Sequence, residues 1–300
     1  MTVLAFDSTE LFQYLAAGLA LGARYALVAL GFVVIYKATG VINFAQGSFV
    51  ALGAYFTYNA HVTWGLPFAV SVVIAMVLSA LVGIAIERIV LRRVVGQPVF
   101  AIIMITIGLL FVIEQVITAI WGVDNLNLED PWGIDTVTIG GVVISQRDIW
   151  TMILTAAVLV VFYVLFRHTG IGLAMRAAAL DPEAAMARGV SVRRVVAVSW
   201  AIAAMVAALA GVTVASGAAQ LSPTIGFVAL AAFPAMILGG LDSPFGAVLG
   251  GVVIGVTQSL AAGYQWFGPR FYTVLPYVVM IAILMIRPYG LFGTKEASRL

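Results

Sequence analysis

Gly170-Ile-Gly-Leu-Ala-Met-Arg-Ala-Ala-Ala-Leu-Asp-Pro-Glu-Ala-Ala-Met-Ala-Arg-Gly-Val-Ser-Val-Arg-Arg194 is the one long basic interruption in an otherwise apolar chain. Apolar runs at 148–166 and 195–216 flank it, each close to the roughly 20 residues that cross a bilayer as an α-helix. Inside the interruption Asp181 can cap a helix start, Pro182 suits the first turn and Gly189 suits the end. The spacing predicts a two-turn helix with defined ends, carrying Glu183 and Arg188 at the membrane surface. A short helix of that kind is a handle for a partner. The chain has no Gly-rich phosphate-binding loop ending in Gly-Lys-Ser or Gly-Lys-Thr, so nucleotide energy would have to come from another subunit.

Composition agrees with a membrane protein. Of 300 residues, 63% are hydrophobic and 9% charged, against about 25% charged in soluble domains. A formal charge of +2 gives no reason to invoke nucleic acid, and the absence of Cys excludes disulfides and thiolate metal sites. His61 and His168 fall near span ends with no metal-ligand spacing, so no metal is expected. No Gly-x-Ser-x-Gly elbow occurs, and an enzyme reading has no residues to stand on. Asp7 and Glu10 stand where a signal peptide would be basic, so the first apolar run reads as a retained span.

Nine apolar segments fall at 11–36, 41–60, 66–86, 98–121, 148–166, 195–216, 225–241, 245–262 and 271–287. The fold class is all-α integral membrane protein, one transmembrane domain over 1–300, with some interrupted spans. The count drops to eight if 225–241 and 245–262 form one re-entrant hairpin. Lys37, Arg88, Arg92, Arg93, the 167–194 cations, Arg287, Lys295 and Arg299 fall on one side. Asp124, Glu129, Asp130, Asp135 and Asp148 fall on the other. The positive-inside rule then places the N-terminus outside and the C-terminus in the cytoplasm. The acidic 122–147 loop is external, and its alternation around Gly140-Gly141 suits a small hairpin. It reads equally as a structural cap or a docking surface.

Hydrocarbon penalises unsatisfied polar groups, so polar residues within spans are informative. Asn43 and Gln46 sit between Gly40 and Gly47 at a span entry, as in a broken helix. Residues 216–226 and 238–251 have the same interrupted character. Interruptions in both halves of a transporter point to a central pathway, and close packing through small residues is the alternative. Arg24 and Glu114 are the formal charges deep within spans, Arg24 near mid-depth and Glu114 in the outer half. They can pair, or serve structure separately. Thr106 is a weaker pathway candidate.

Several blocks in order resemble one family. Gly31 to Tyr36 with Ala38-Thr-Gly-Val-Ile-Asn-Phe-Ala-Gln-Gly47 resembles the first block of LivH-type permeases of branched-chain amino acid ABC importers. Gln97-Pro98 with Ile105-Thr-Ile-Gly-Leu109, the 170–189 loop, Ala232 to Ala247 and Pro288-Tyr-Gly-Leu-Phe-Gly293 are similar to later blocks. The resemblance implies an inner-membrane importer subunit working with a second homologous permease, two cytoplasmic ATPases, an external solute-binding protein and membrane lipid. It implies that ATP is used by the partners and that this chain binds no cofactor. Glu183-Ala184-Ala185 followed by Gly189 is similar to the motif that meets the ATPase, with Arg176 and Asp181 belonging to the same loop. Asn43, Gln46 and Thr106 would line the pathway. Leu173 stands where the family often has a basic residue, and Arg24 where it usually has an apolar or small one. Related systems carry urea, short amides or aromatic acids, so cargo is less defined than machinery. An ion-coupled transporter using Arg24 and Glu114, or a scaffold, are the readings from other classes.

Overall fold

A computed structural model describes residues 8–94, 97–217 and 220–293. Lys295 and Arg299, counted above among the basic set, lie outside them, as do Asp7 and positions 218–219 of the interrupted segment. The axis of the molecule is α1 (Ser8–Thr39), a continuous, largely apolar helix with Glu10 in its first turn, Arg24 in its middle and Lys37 in its last turn. The two terminal charges favour the helix dipole. From Tyr25 to Ile35 every residue of α1 is buried. Gly40, at φ +69°, ends the helix, its N–H donating to the Tyr36 carbonyl at 2.7 Å.

Among the described residues, six helices are long and apolar enough to cross a membrane unaided: α1, α3 (Phe68–Ile89, with its continuation to Val94), α4 (Val99–Trp121), α5 (Gln146–His168), α8 (Val192–Ala215) and α10 (Pro244–Gly263). The other three apolar segments form shorter helices. These are α2 (Gln46–Tyr58) with a π-helical turn to Thr63, α9 (Val228–Gly239) after a 3-10 turn over Pro223–Phe227, and α11 (Leu275–Ile286). All nine expected segments are thus helical, but three are shortened where Gly and Pro interrupt them. Between α5 and α8 lie α6 (Gly170–Leu180) and α7 (Pro182–Ala187).

Small residues set how closely these helices approach. Gly18 and Gly22 of α1 face Gly251 and Gly255 of α10. A Cβ on Gly22 would lie 2.7 Å from the Gly251 carbonyl oxygen and 2.7 Å from the Val252 Cα. This is the small-xxx-small contact of membrane helices, in which backbones pack directly. The seam continues until Gly263 meets the Tyr14 ring. α10 therefore follows α1 for most of its length and is no shallow re-entrant limb.

The loop between α4 and α5 holds β1 (Thr136–Ile139) and β2 (Val142–Ser145), paired antiparallel with Thr136 opposite Ser145 and Ile139 opposite Val142. Gly140 and Gly141 both take positive φ at the tip, the geometry a two-residue hairpin turn needs. The free edge of β2 is met by a side chain. The Gln13 amide donates to the Val143 carbonyl at 2.6 Å and accepts from its N–H at 2.9 Å.

Candidate functional site: a broken-helix centre and a capped surface helix

After Gly40 the chain turns back toward α1 and starts α2 beside it. The return is tight because Gly31 has no side chain: a Cβ there would occupy the place of the Gln46 amide nitrogen. That nitrogen donates to the Ala203 carbonyl of α8 at 3.3 Å. Asn43 folds locally, its Oδ1 accepting from the Ala45 N–H at 3.0 Å. Thr106 of α4 closes the group, accepting from the Phe44 N–H at 3.2 Å and donating to the Ile103 carbonyl at 2.9 Å. The three expected pathway residues are thus neighbours around one chain reversal, each at most 1% exposed.

Their hydrogen bonding is incomplete. Asn43 Nδ2 and Gln46 Oε1 are buried without a partner among the described residues. Buried amides are ordinarily satisfied, and an unsatisfied one costs about 1–3 kcal/mol. One donor and one acceptor are therefore free beside the break, and water or a polar solute group could satisfy either.

Next to the break is a small cavity of about 30 Å³, lined by Phe32, Phe44, Gly47, Ser48, Glu114 and Phe233 among others. Its far wall is the 3-10 turn at Pro223–Phe227. That turn crosses α2 where Gly47 and Gly226 touch backbone to backbone, leaving no room for a Cβ on either. Glu114 is half-buried, and among the described residues its carboxylate has no hydrogen bond or ion pair. The cavity is otherwise apolar apart from Ser48 and Thr224. Ser48, which donates to the Leu110 carbonyl at 3.1 Å, had no distinguishing signal in the sequence beyond its place after Gly47.

Arg24 does not pair with Glu114. It forms an ion pair with Asp148 in the first turn of α5, and Arg147 Nε lies 3.5 Å from the same carboxylate. The cause is packing: α1 lies against α5, whereas α4 lies against α2 and the 223–227 turn. Arg24 therefore joins α1 to α5. Arg147 extends the cluster to the end of α8, donating to the Ser216 carbonyl at 2.7 Å. The Gly217 N–H donates to Asp130 of the loop between α4 and α5 at 2.6 Å.

At the opposite end, α7 is closed at both termini. Asp181 Oδ1 accepts from the N–H groups of Glu183 and Ala184, both at 3.0 Å, and Pro182 begins the helix. Gly189 at φ +83° ends it. Its N–H donates to the Met186 carbonyl at 2.9 Å, and the Val190 N–H to the Ala185 carbonyl at 3.0 Å. Those two bonds form a Schellman motif, with Val190 following Gly189 as its apolar flank. Glu183, Ala184, Met186 and Arg188 are exposed, while Ala185 is 4% exposed. Neighbouring helices are capped too: the Thr169 hydroxyl accepts from Gly172 at the start of α6, and the Ser191 hydroxyl from Arg194 at the start of α8. Arg176, on α6, lines a groove together with Lys37 and Arg167.

Comparison with known proteins was made against this geometry. A family model described as branched-chain amino acid transport system / permease component matches residues 14–284. The high-affinity branched-chain amino acid transport system permease protein LivH of Salmonella typhimurium is 28% identical over 303 residues, covering 96% of this chain and 97% of that protein. The corresponding BraD protein of Pseudomonas aeruginosa is 28% identical over 302 residues, with the same coverage. Among solved structures, a chain of PsaBC from Streptococcus pneumoniae in complex with Fab superposes with a TM-score of 0.50 at 15% identity, covering 93% of each chain. That likeness concerns the fold alone.

Proposed function

Because this chain belongs to the family of permease components of branched-chain amino acid transport systems, we propose that it forms one half of the translocation pathway of an ATP-driven importer for branched-chain or chemically similar amino acids. It is a multi-pass permease and not an enzyme. In this reading a second homologous permease supplies the other half, two cytoplasmic ATPases supply the energy, and an external binding protein delivers the cargo. The N-terminus lies outside and the C-terminus inside. This chain holds no cofactor, and ATP stays with the partners.

One observation carries the mechanism: the capped helix is joined by a rigid element to the broken-helix centre. α7 leads through Val190 and the Ser191 cap into α8, which runs unbroken from Val192 to Ala215. The Ala203 carbonyl in that helix holds Gln46. α8 also packs on α2 through small residues, Ala208 against Gly53 and Gly211 against the Val50 carbonyl. A push on the exposed face of α7 would tilt α8 and move the Gln46 anchor directly. Packed helices of this kind switch between discrete arrangements rather than bending continuously, so ATP-driven closure of the partners would bias the break between two states. In one of them Asn43 Nδ2 and Gln46 Oε1 become available to cargo, with Thr106 beside them. Glu114 puts a carboxyl group on the wall of the adjoining small cavity, where it would meet the ammonium of an amino acid once the break opens.

The experiment is purification of the tagged chain in mild detergent, reconstitution of what accompanies it, and uptake of labelled leucine. A second permease and ATPases are expected to co-purify. Glu114→Gln is expected to cut uptake about tenfold, the loss of roughly 1.4 kcal/mol of charge-assisted binding. A chain that purifies alone and moves solute without ATP would refute the importer reading.

A further inference from the structure

We propose that the groove at the α6 side of the membrane, between the ends of α1, α5 and α6 and the start of α10, is a binding site for an anionic phospholipid. The groove has a volume of about 580 Å³. Its rim carries three cations, Lys37, Arg167 and Arg176, and its wall is apolar, formed largely by Leu159, Phe162 and Phe166. Lys37 is fixed, donating to the Asp242 carbonyl at 3.2 Å with its ammonium 5.3 Å from the Phe166 ring centre. Arg167 stacks over Tyr163 at 5.6 Å. Among the described residues neither Arg167 nor Arg176 has a hydrogen bond or ion pair, so two guanidinium groups present all their donors. The acid acting on Lys37 is Asp242. Three cations less one carboxylate leave the site at +2, enough to attract a phosphodiester.

The division between rim and wall selects a lipid over a soluble anion. From Arg167 back to Leu159 the groove follows α5 for about 12 Å at 1.5 Å per residue, a depth that suits the upper part of an acyl chain. The apolar wall is continuous with the outer face of α5, where Val160 and Val161 are each 61% exposed. An acyl chain could therefore enter sideways from the bilayer. Basic pockets between transmembrane helices on the cytoplasmic side are where anionic headgroups bind, each cation near the surface being worth about 1 kcal/mol. Positive-inside placement alone would set the cations at this depth, but would not gather three of them, from separate helices, around one apolar trough. Arg176 lies on α6 one turn and a half from the Asp181 cap of α7. A headgroup held by Arg167 and Arg176 would tie α6 to the end of α5 and steady the base from which α7 projects.

The test uses the full-length chain, alone and in its co-purified complex, in nanodiscs of phosphatidylcholine with or without phosphatidylglycerol. Native mass spectrometry counts retained lipid, and thermal unfolding reports stabilisation. Wild type should retain phosphatidylglycerol in preference to phosphatidylcholine and unfold at a higher temperature in its presence. Arg167→Gln with Arg176→Gln should weaken retention about 25-fold, from two surface cations, and abolish the thermal shift. Val160→Trp narrows the trough while keeping every charge, and should also lower retention. Arg193→Gln with Arg194→Gln, an equal charge loss at the start of α8, should leave it unchanged. The proposal falls if wild type takes both lipids alike, if the α8 control loses as much as the groove variant, or if inorganic phosphate displaces the lipid. Retention by the lone chain but not by the complex would overturn it as well, since a partner protein would then fill the groove.

Discussion

Removing both clamps of α7 gives a perturbation whose size can be worked from the geometry. Asp181→Ala deletes the acceptor for the Glu183 and Ala184 N–H groups, and loss of such a cap costs about 1 kcal/mol. Gly189→Ala places a Cβ on a residue at φ +83° that has nothing within 4 Å of that Cβ. Its cost is therefore purely conformational, about 1 kcal/mol. The two caps act on different backbone groups, so the effects should add to about 2 kcal/mol, roughly a 25-fold rise in the local opening of α7. The rest of the chain keeps its contacts, so the global unfolding temperature should barely move. Amide exchange should quicken by that factor at Arg188, Gly189 and Val190, whose N–H groups close the helix end. Uptake in proteoliposomes of the complete transporter should fall steeply while ATP hydrolysis continues. Faster exchange with undiminished uptake per ATP would refute the idea that a rigid α7 transmits the stroke. Unchanged exchange would refute the energetic argument beneath it.

Two predictions concern the scaffold. In a double-mutant cycle of Arg24→Met and Asp148→Asn, thermal stability should show a coupling of at least about 1 kcal/mol, with the double variant no worse than the more damaged single one; no coupling would mean that the ion pair does not join α1 to α5. Gly22→Val should force α1 and α10 apart, because backbone atoms of Gly251 and Val252 occupy the space. Lower folded yield and a stability loss of about 1–3 kcal/mol, measured by thermal unfolding in detergent, are expected. Wild-type stability in this variant would show that the seam is not close-packed.

Local features were legible in the sequence wherever they depend on residues close together in it. The nine apolar segments, the Gly-Gly hairpin and the Asp181–Gly189 helix ends each follow from composition or spacing within about ten residues, and the structure contains all of them. The convergence of Asn43, Gln46 and Thr106 was legible only as three separate polar interruptions. What gathers them is the absence of a side chain at Gly31 and a carbonyl on α8, more than 150 positions away. The partner of Arg24 was illegible for the same reason. An intramembrane cation can name the need for an anion, but which helix supplies it depends on helix order around α1. The groove that Arg176 lines with Lys37 and Arg167 was illegible likewise, because it gathers side chains from three helices.

The burial of α2 has a consequence for how the protein is made. From Gln46 through Tyr55 no residue of this helix is left uncovered, and its 13 residues with the 5 of the π-helical turn reach at most about 27 Å at 1.5 Å each, short of the ~30 Å hydrocarbon core. The partner that covers much of it is α8, synthesised well over a hundred residues later. A nascent chain therefore carries a segment with little to offer lipid, waiting for a wall not yet translated. α2 should settle into the bilayer only once α8 has emerged, which makes biogenesis of the pathway late and cooperative. A glycosylation tag in the loop after Thr63 would read this: modification of chains ending before Val192 equal to that of the full-length protein would show that α2 needs no such wall.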